Sequence, residues 1–166
     1  MKKIILMLFV TAIGVLSCSE DKEDDSNFDS NSLIGVWTFS NIDADGATGN
    51  IKLSNDILTV LVNSGCDILT YDFNADQTVN VSFRDFTETG NSVNSSGTGL
   101  LIECPTNVRN STSVWELEGN QLSFINGNGA IETITINIDG DTLTVPGEVI
   151  NEDNLAGTKA IFVREL

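Results

Sequence analysis

From Leu33 to Glu165 the chain alternates apolar and polar residues over short stretches rich in Val, Ile, Thr and Phe, each broken by Asn, Asp or Gly. Successive side chains of a strand point to opposite faces, so a segment of this kind covers a core with one face and meets water with the other. No long helical period competes with that pattern, and an antiparallel all-β domain is the expectation. Leu33 to Ile42 is the first strand, with Leu33, Trp37 and Phe39 on one face. Ile68 to Asn74 groups Leu69, Tyr71 and Phe73, and Thr78 to Arg84 groups Val79, Val81 and Phe83. The Asn74-Ala75-Asp76-Gln77 turn joins these two as a hairpin. Further strands are expected at Gly99–Glu103, Thr112–Glu118, Gln121–Ile125, Ala130–Ile138, Thr142–Val149 and Thr158–Glu165. Gly119-Asn120, Gly127-Asn128-Gly129 and Asp139-Gly140-Asp141 supply the turns between them.

Two segments depart from the pattern. Ser54-Asn55-Asp56 suits the start of a short helix near 55–64 that Gly65 ends, although the Ile, Val and Thr of Ile57–Val62 would also suit a strand. Thr87–Thr98, rich in Gly, Asn and Ser, reads as a hairpin tip or crossover. An open meander of about eight or nine strands exposes two edges, and rolling it until the first and last strands pair removes both. We therefore expect a closed barrel, with a two-layer β-sandwich as the alternative.

Composition narrows the chemistry. The chain has 166 residues, 8 Lys plus Arg, 24 Asp plus Glu and no His. Lack of His removes Ser-His hydrolases and His-zinc enzymes, and a net charge of −16 opposes binding to nucleic acid, whose phosphates need a basic face. No nucleophile elbow, phosphate-binding glycine loop or cysteine-zinc spacing occurs. Asp43-Ala44-Asp45-Gly46 begins like a calcium loop, but the position that should supply a bidentate carboxylate is Ser54, so it reads as an acidic turn. Asp139-Gly140-Asp141 is likewise a turn. Glu116 and Glu118 share a strand face opposite Trp115 and Leu117 and are expected to face solvent. The expectation is a protein without enzymatic activity, cofactor or metal.

The N-terminus reads as an address. Lys2 and Lys3 precede an apolar run from Ile4 to Leu16. That run spans about 20 Å as a helix, against the roughly 30 Å of a bilayer core, so residues 1–17 are expected to be a cleaved signal peptide rather than a permanent span. Val15-Leu16-Ser17-Cys18 resembles the bacterial lipobox, which implies acylation of Cys18 as the new first residue. Residues 18–32 then form an acidic tether, from Ser19-Glu20-Asp21-Lys22-Glu23-Asp24-Asp25 onward, and residues 33–166 the folded domain. With Cys18 acylated, Cys66 and Cys104 remain as an even pair in an exported chain, and a disulfide between them is the simpler reading against two separately buried thiols.

Leu33-Ile34-Gly35-Val36-Trp37 resembles the Gly-x-Trp signature of lipocalins. Together with the lipobox, the acidic tether, the Cys66–Asp76 segment, the Ser113-Val114-Trp115-Glu116-Leu117 strand and the strand-turn-strand ending, it makes the chain similar to the lipocalin-like lipoproteins of Bacteroidetes over residues 33–165. The resemblance implies that Trp37 plugs one barrel end beneath Arg164. It also implies a small apolar or amphipathic ligand, and an outer-membrane, cell-surface location in which the acidic cluster acts as the export signal; the periplasm-facing leaflet is the alternative. The second lipocalin signature, Thr-Asp-Tyr, is missing. Candidate ligand-lining or core residues are Phe39, Tyr71, Phe73, Val81, Phe83, Trp115, Leu117 and Phe124, beside Trp37. A filled barrel acting as a structural or interaction lipoprotein is the second reading; a continuous cavity of about 300 Å³ or more separates the two.

Overall fold

A computed structural model of the chain describes residues 29–46, 48–85, 92–93 and 100–165. Residues 1–17 (expected as a signal peptide), Cys18, nearly all of the expected tether at 18–32 and most of Thr87–Thr98 lie outside them. The elements in order are β1 (Gly35–Asp43), α1 (Gly49–Asn63), β2 (Leu69–Phe73), β3 (Thr78–Arg84), β4 (Ser92–Val93), β5 (Leu100–Leu101), β6 (Val108–Glu118), β7 (Gln121–Ile125), β8 (Ile131–Thr135), β9 (Asn137–Asp139), β10 (Thr142–Pro146) and β11 (Lys159–Arg164). Nine strands form one antiparallel sheet in the order β8-β7-β6-β3-β2-β1-β11-β10-β9, and β4 pairs with β5 apart from it.

The sheet closes through the chain itself. Its two terminal strands, β8 and β9, are consecutive and separated by Ile136 alone, so one extended segment pairs with β7 on its first half and with β10 on its second. Glu132, Ile134, Ile136 and Ile138 keep a single alternation through the break. First and last strands, β1 and β11, pair directly. The result is the nearly closed barrel that the meander pattern predicts, with one continuous segment supplying both terminal strands of the sheet.

Local chemistry accounts for the departures from plain alternation. In β1 the buried residues are Trp37, Phe39 and Ile42, a spacing that strict alternation does not give. Phe39 pairs with Phe162 and Asn41 with Ile161, which leaves Ser40 as an extra residue. That bulge returns Ile42 to the inside. α1 begins at Gly49, six residues ahead of the expected segment, because its first turns are largely exposed and carry no apolar period; only Ile57, Leu58 and Leu61 are buried. The strand expected at Gly99–Glu103 is reduced to Leu100–Leu101, and the end of Thr142–Val149 turns into a 3₁₀ segment, Gly147–Val149.

Connections segregate by length. The tight turns Asn74–Gln77, Gly119-Asn120 and Gly140-Asp141 lie at one end of the barrel, beside the chain's entry at Leu33. The other end carries α1, the β4–β5 excursion, the turn at residues 126–130 and the segment at residues 147–158. Fully buried Leu33, Trp37, Leu143 and Phe162 lie toward the tight-turn end, and fully buried Leu58, Leu61, Ile68 and Leu155 toward the other.

Candidate functional site

At the tight-turn end, Trp37 has no exposed surface, and its Nε1 donates to the Leu33 carbonyl at 2.7 Å. The Arg164 guanidinium lies 4.1 Å from the centroid of the Trp37 ring. Its Nη1 donates to the Ile34 carbonyl at 2.5 Å and its Nη2 to the Ser32 carbonyl at 2.6 Å, while Nε sits 3.3 Å from Asp141 Oδ1. One side chain thus ties the last strand to the chain entering the first, and stacking contributes about 0.5–2 kcal/mol. Gly35 makes the approach feasible. Its φ is +130°, and a Cβ there would stand 2.8 Å from Arg164 Nη1. The Gly of Gly-x-Trp is therefore a packing requirement, and this end of the barrel is shut.

The opposite end is open, and a cavity of about 340 Å³ runs down from it. β6 explains the opening. Its residues Thr112 and Ser113 still pair with β3, whereas its bonds to β7 begin only at Trp115. Between the two, Ser113 Oγ stands in for a ladder rung, donating to the Ile125 carbonyl at 2.8 Å and accepting from the Ile125 N–H at 3.1 Å. Beyond Ile125 the β7–β8 turn leaves β6, and on its other side β8 has no strand of its own before β9 takes up pairing with β10. This hairpin splays at the mouth and leaves space inside.

Of the residues singled out from the sequence, Tyr71, Phe73, Val81 and Phe124 line the cavity. Trp37, Phe39 and Trp115 are buried in the core, with Phe83 and Leu117 packed against it. Phe39 meets Phe162 edge to face at 5.7 Å between centroids, and Phe73 meets Trp115 likewise at 5.6 Å. Sequence reasoning missed Leu143 and Val145 as walls, the hydroxyls of Ser111 and Ser113, and three carboxylates at the mouth, Glu132, Glu148 and Glu152. For Glu132 the signal was present: Ile134, Ile136 and Ile138 share its face and set it inward. Glu148 and Glu152 belong to an irregular segment in which no period locates them.

Tyr71 is the one lining aromatic that carries a polar group. Its ring stacks near Phe162 and Phe73 at 5.1 and 5.8 Å. Burial, aided by the Glu132 carboxylate, pushes its phenol well above the usual range, so the hydroxyl stays protonated at any physiological pH.

Cys66 and Cys104 form a disulfide, with Cα atoms 5.6 Å apart, that ties the exit of α1 to the chain entering β6 at the open end. Asp43–Gly46 and Asp139–Asp141 are turns, each with a Gly at positive φ. Glu116 and Glu118 are exposed on the outer wall. Among the described residues no group of three or more His, Cys, Asp or Glu is arranged to hold a metal ion.

Comparison with protein families matches residues 33–145 to a lipocalin-like domain, a span that begins at the buried Leu33 and ends within β10. No curated protein matches the chain. Over most of its length, and with a closed Trp37 end and a hollow opposite end, the chain belongs to the lipocalin-like domain family.

Proposed function

We propose that this protein is a lipid-anchored binding protein of the cell envelope that holds a small apolar or amphipathic molecule in its barrel and performs no catalysis. The observation that carries the reading is the cavity. At about 340 Å³ it lies within the range of small-molecule sites, and it is walled largely by aromatic and aliphatic side chains. A solid barrel acting only through its surface would lack such a space, so the cavity favours the binding reading over the interaction one.

The envelope location rests on the sequence. Lys2, Lys3 and the Ile4–Leu16 run form a signal peptide ending at the Val15-Leu16-Ser17-Cys18 lipobox, and acyl chains on Cys18 anchor the protein without any other membrane element. Removal of residues 1–17 takes two lysines and no acid, which leaves a mature chain of net charge about −18, its acidic tether included. The acidic cluster behind Cys18 supports display on the outer leaflet of the outer membrane.

Native mass spectrometry of protein purified without denaturation tests these points together. The expected spectrum shows acyl mass on Cys18, loss of two hydrogens at Cys66–Cys104 and a fraction carrying a non-covalent small molecule. A barrel that arrives empty and stays empty when 1-octanol is added overturns the binding reading. Retention of the protein on membranes after Cys18→Ser overturns the anchor.

A further inference from the structure

We propose that the cavity takes a cationic amphiphile: an apolar body that fills the barrel, with an amine or ammonium head held among Glu132, Glu148 and Glu152 at the mouth. This rests on the binding reading above and adds the charge of the ligand to it.

The three carboxylates are the only ionised groups among the residues that line the cavity. Every basic side chain of the described residues is placed elsewhere. Arg164 is at the closed end, Lys52 pairs with Asp56, Arg109 pairs with Asp85, and Arg84 donates to the carbonyls of Asp67 and Pro105. Lys159, in register with Asp43 and Pro146, alternates with the inward Ala160 and Phe162 and faces out.

Glu132 carries the most information. It stands directly opposite Phe124 in the β7–β8 ladder, on the inward face that β8 and β9 otherwise give to isoleucine. A carboxylate at such a position loses hydration when an apolar ligand covers it, and a positive head offsets that loss more fully than a neutral donor does. Its hydrogen bond from Asn126 Nδ2, at 3.5 Å, and the one Glu148 accepts from the Gly157 N–H, at 2.7 Å, are from neutral donors and leave both charges in place.

Below the rim, the rings of Tyr71, Phe73 and Phe124 line the cavity, and an aromatic face attracts a cation and repels an anion. A fatty acid or other anionic lipid would place its head against three like charges at the mouth, where all three glutamates are exposed and water weakens the repulsion without removing it. In size, 340 Å³ equals about eleven water volumes at ~30 Å³ each, which suits a ligand of roughly a dozen non-hydrogen atoms.

Calorimetric titration of the whole chain from residue 18, carrying Cys18→Ser so that no detergent competes, with octyltrimethylammonium, 1-octanol and octyl sulfate tests the proposal. The ammonium should bind at least about tenfold more tightly than the sulfate, with octanol between them. Glu132→Gln with Glu152→Gln should narrow that ratio by about fivefold. Glu116→Gln with Glu118→Gln, which removes the same net charge from the outer wall, should change it by less than about twofold. Sulfate binding as tight as ammonium, or equal narrowing by the two double variants, overturns the cationic assignment while octanol binding keeps the cavity reading intact. Binding of none of the three overturns both.

Discussion

At the residue scale, close approaches explain why particular amino acids stand where they do. Gly35 leaves room for the Arg164 guanidinium at a φ that an L side chain rarely adopts. Gly35→Ala should therefore destabilise the protein by roughly 1–3 kcal/mol, read as a drop in urea midpoint at unchanged slope. Gly147 is a second such position: a Cβ would fall 2.0 Å from Thr158 Oγ1 and 2.7 Å from the Leu155 carbonyl. Tyr71, the single tyrosine of the chain, makes a pH prediction unusually direct. Burial raises its folded-state pKa above the ordinary value near 10, so above that pH the unfolded chain binds fewer protons than the folded one. The stability held by the neutral phenol is complete below about pH 10 and declines as pH climbs further. On an alkaline ramp, tyrosinate absorbance should appear only with unfolding, whereas urea-unfolded protein should titrate near pH 10; a reversible titration near 10 in the folded state would contradict the placement of Tyr71 inside. Trp37 and Arg164 were legible in the sequence because they rest on a short motif and a late basic residue. Glu148 and Glu152 were not, since irregular backbone carries no period.

At the scale of elements, alternation located every wall strand but not the points where strands change partner. The bulge at Ser40 and the break at Ile136 are fixed by pairing with β11, β7 and β10, which one strand's own residues do not reveal. α1 was visible only where it buries Ile57, Leu58 and Leu61, and its exposed first turns, including the Lys52–Asp56 pair at 2.6 Å, left no trace in the apolar pattern. The Cys66–Cys104 bond, closing residues 38 apart, pins α1's exit to β6's entry where irregular backbone is most extensive. Its removal by Cys66→Ala with Cys104→Ala should cost roughly 4 kcal/mol in the chain-entropy account. Denaturant unfolding checks this, and a loss below about 1 kcal/mol would show that the open end is held by packing instead.

At the scale of the whole molecule, the barrel is asymmetric: tight turns, Trp37 and Arg164 shut one end, and long connections with the splayed β7–β8 hairpin leave the other hollow. Closure was legible, because a meander of half-apolar strands has to hide its edges. Hollowness was not. Phe124 and Trp115 face each other across the β6–β7 ladder, yet one lines the cavity and the other is core, a difference that the alternation of neither strand encodes. On the binding reading, an apolar molecule enters this space and contacts its walls. Methyl-resolved NMR of the protein titrated with 1-octanol tests it most directly. Saturable, one-to-one shifts of Val81, Ile134, Leu143 and Val145 are expected, with little change at the exposed Leu53 and Leu101. Unmoved wall methyls, or shifts confined to Leu53 and Leu101, would contradict it.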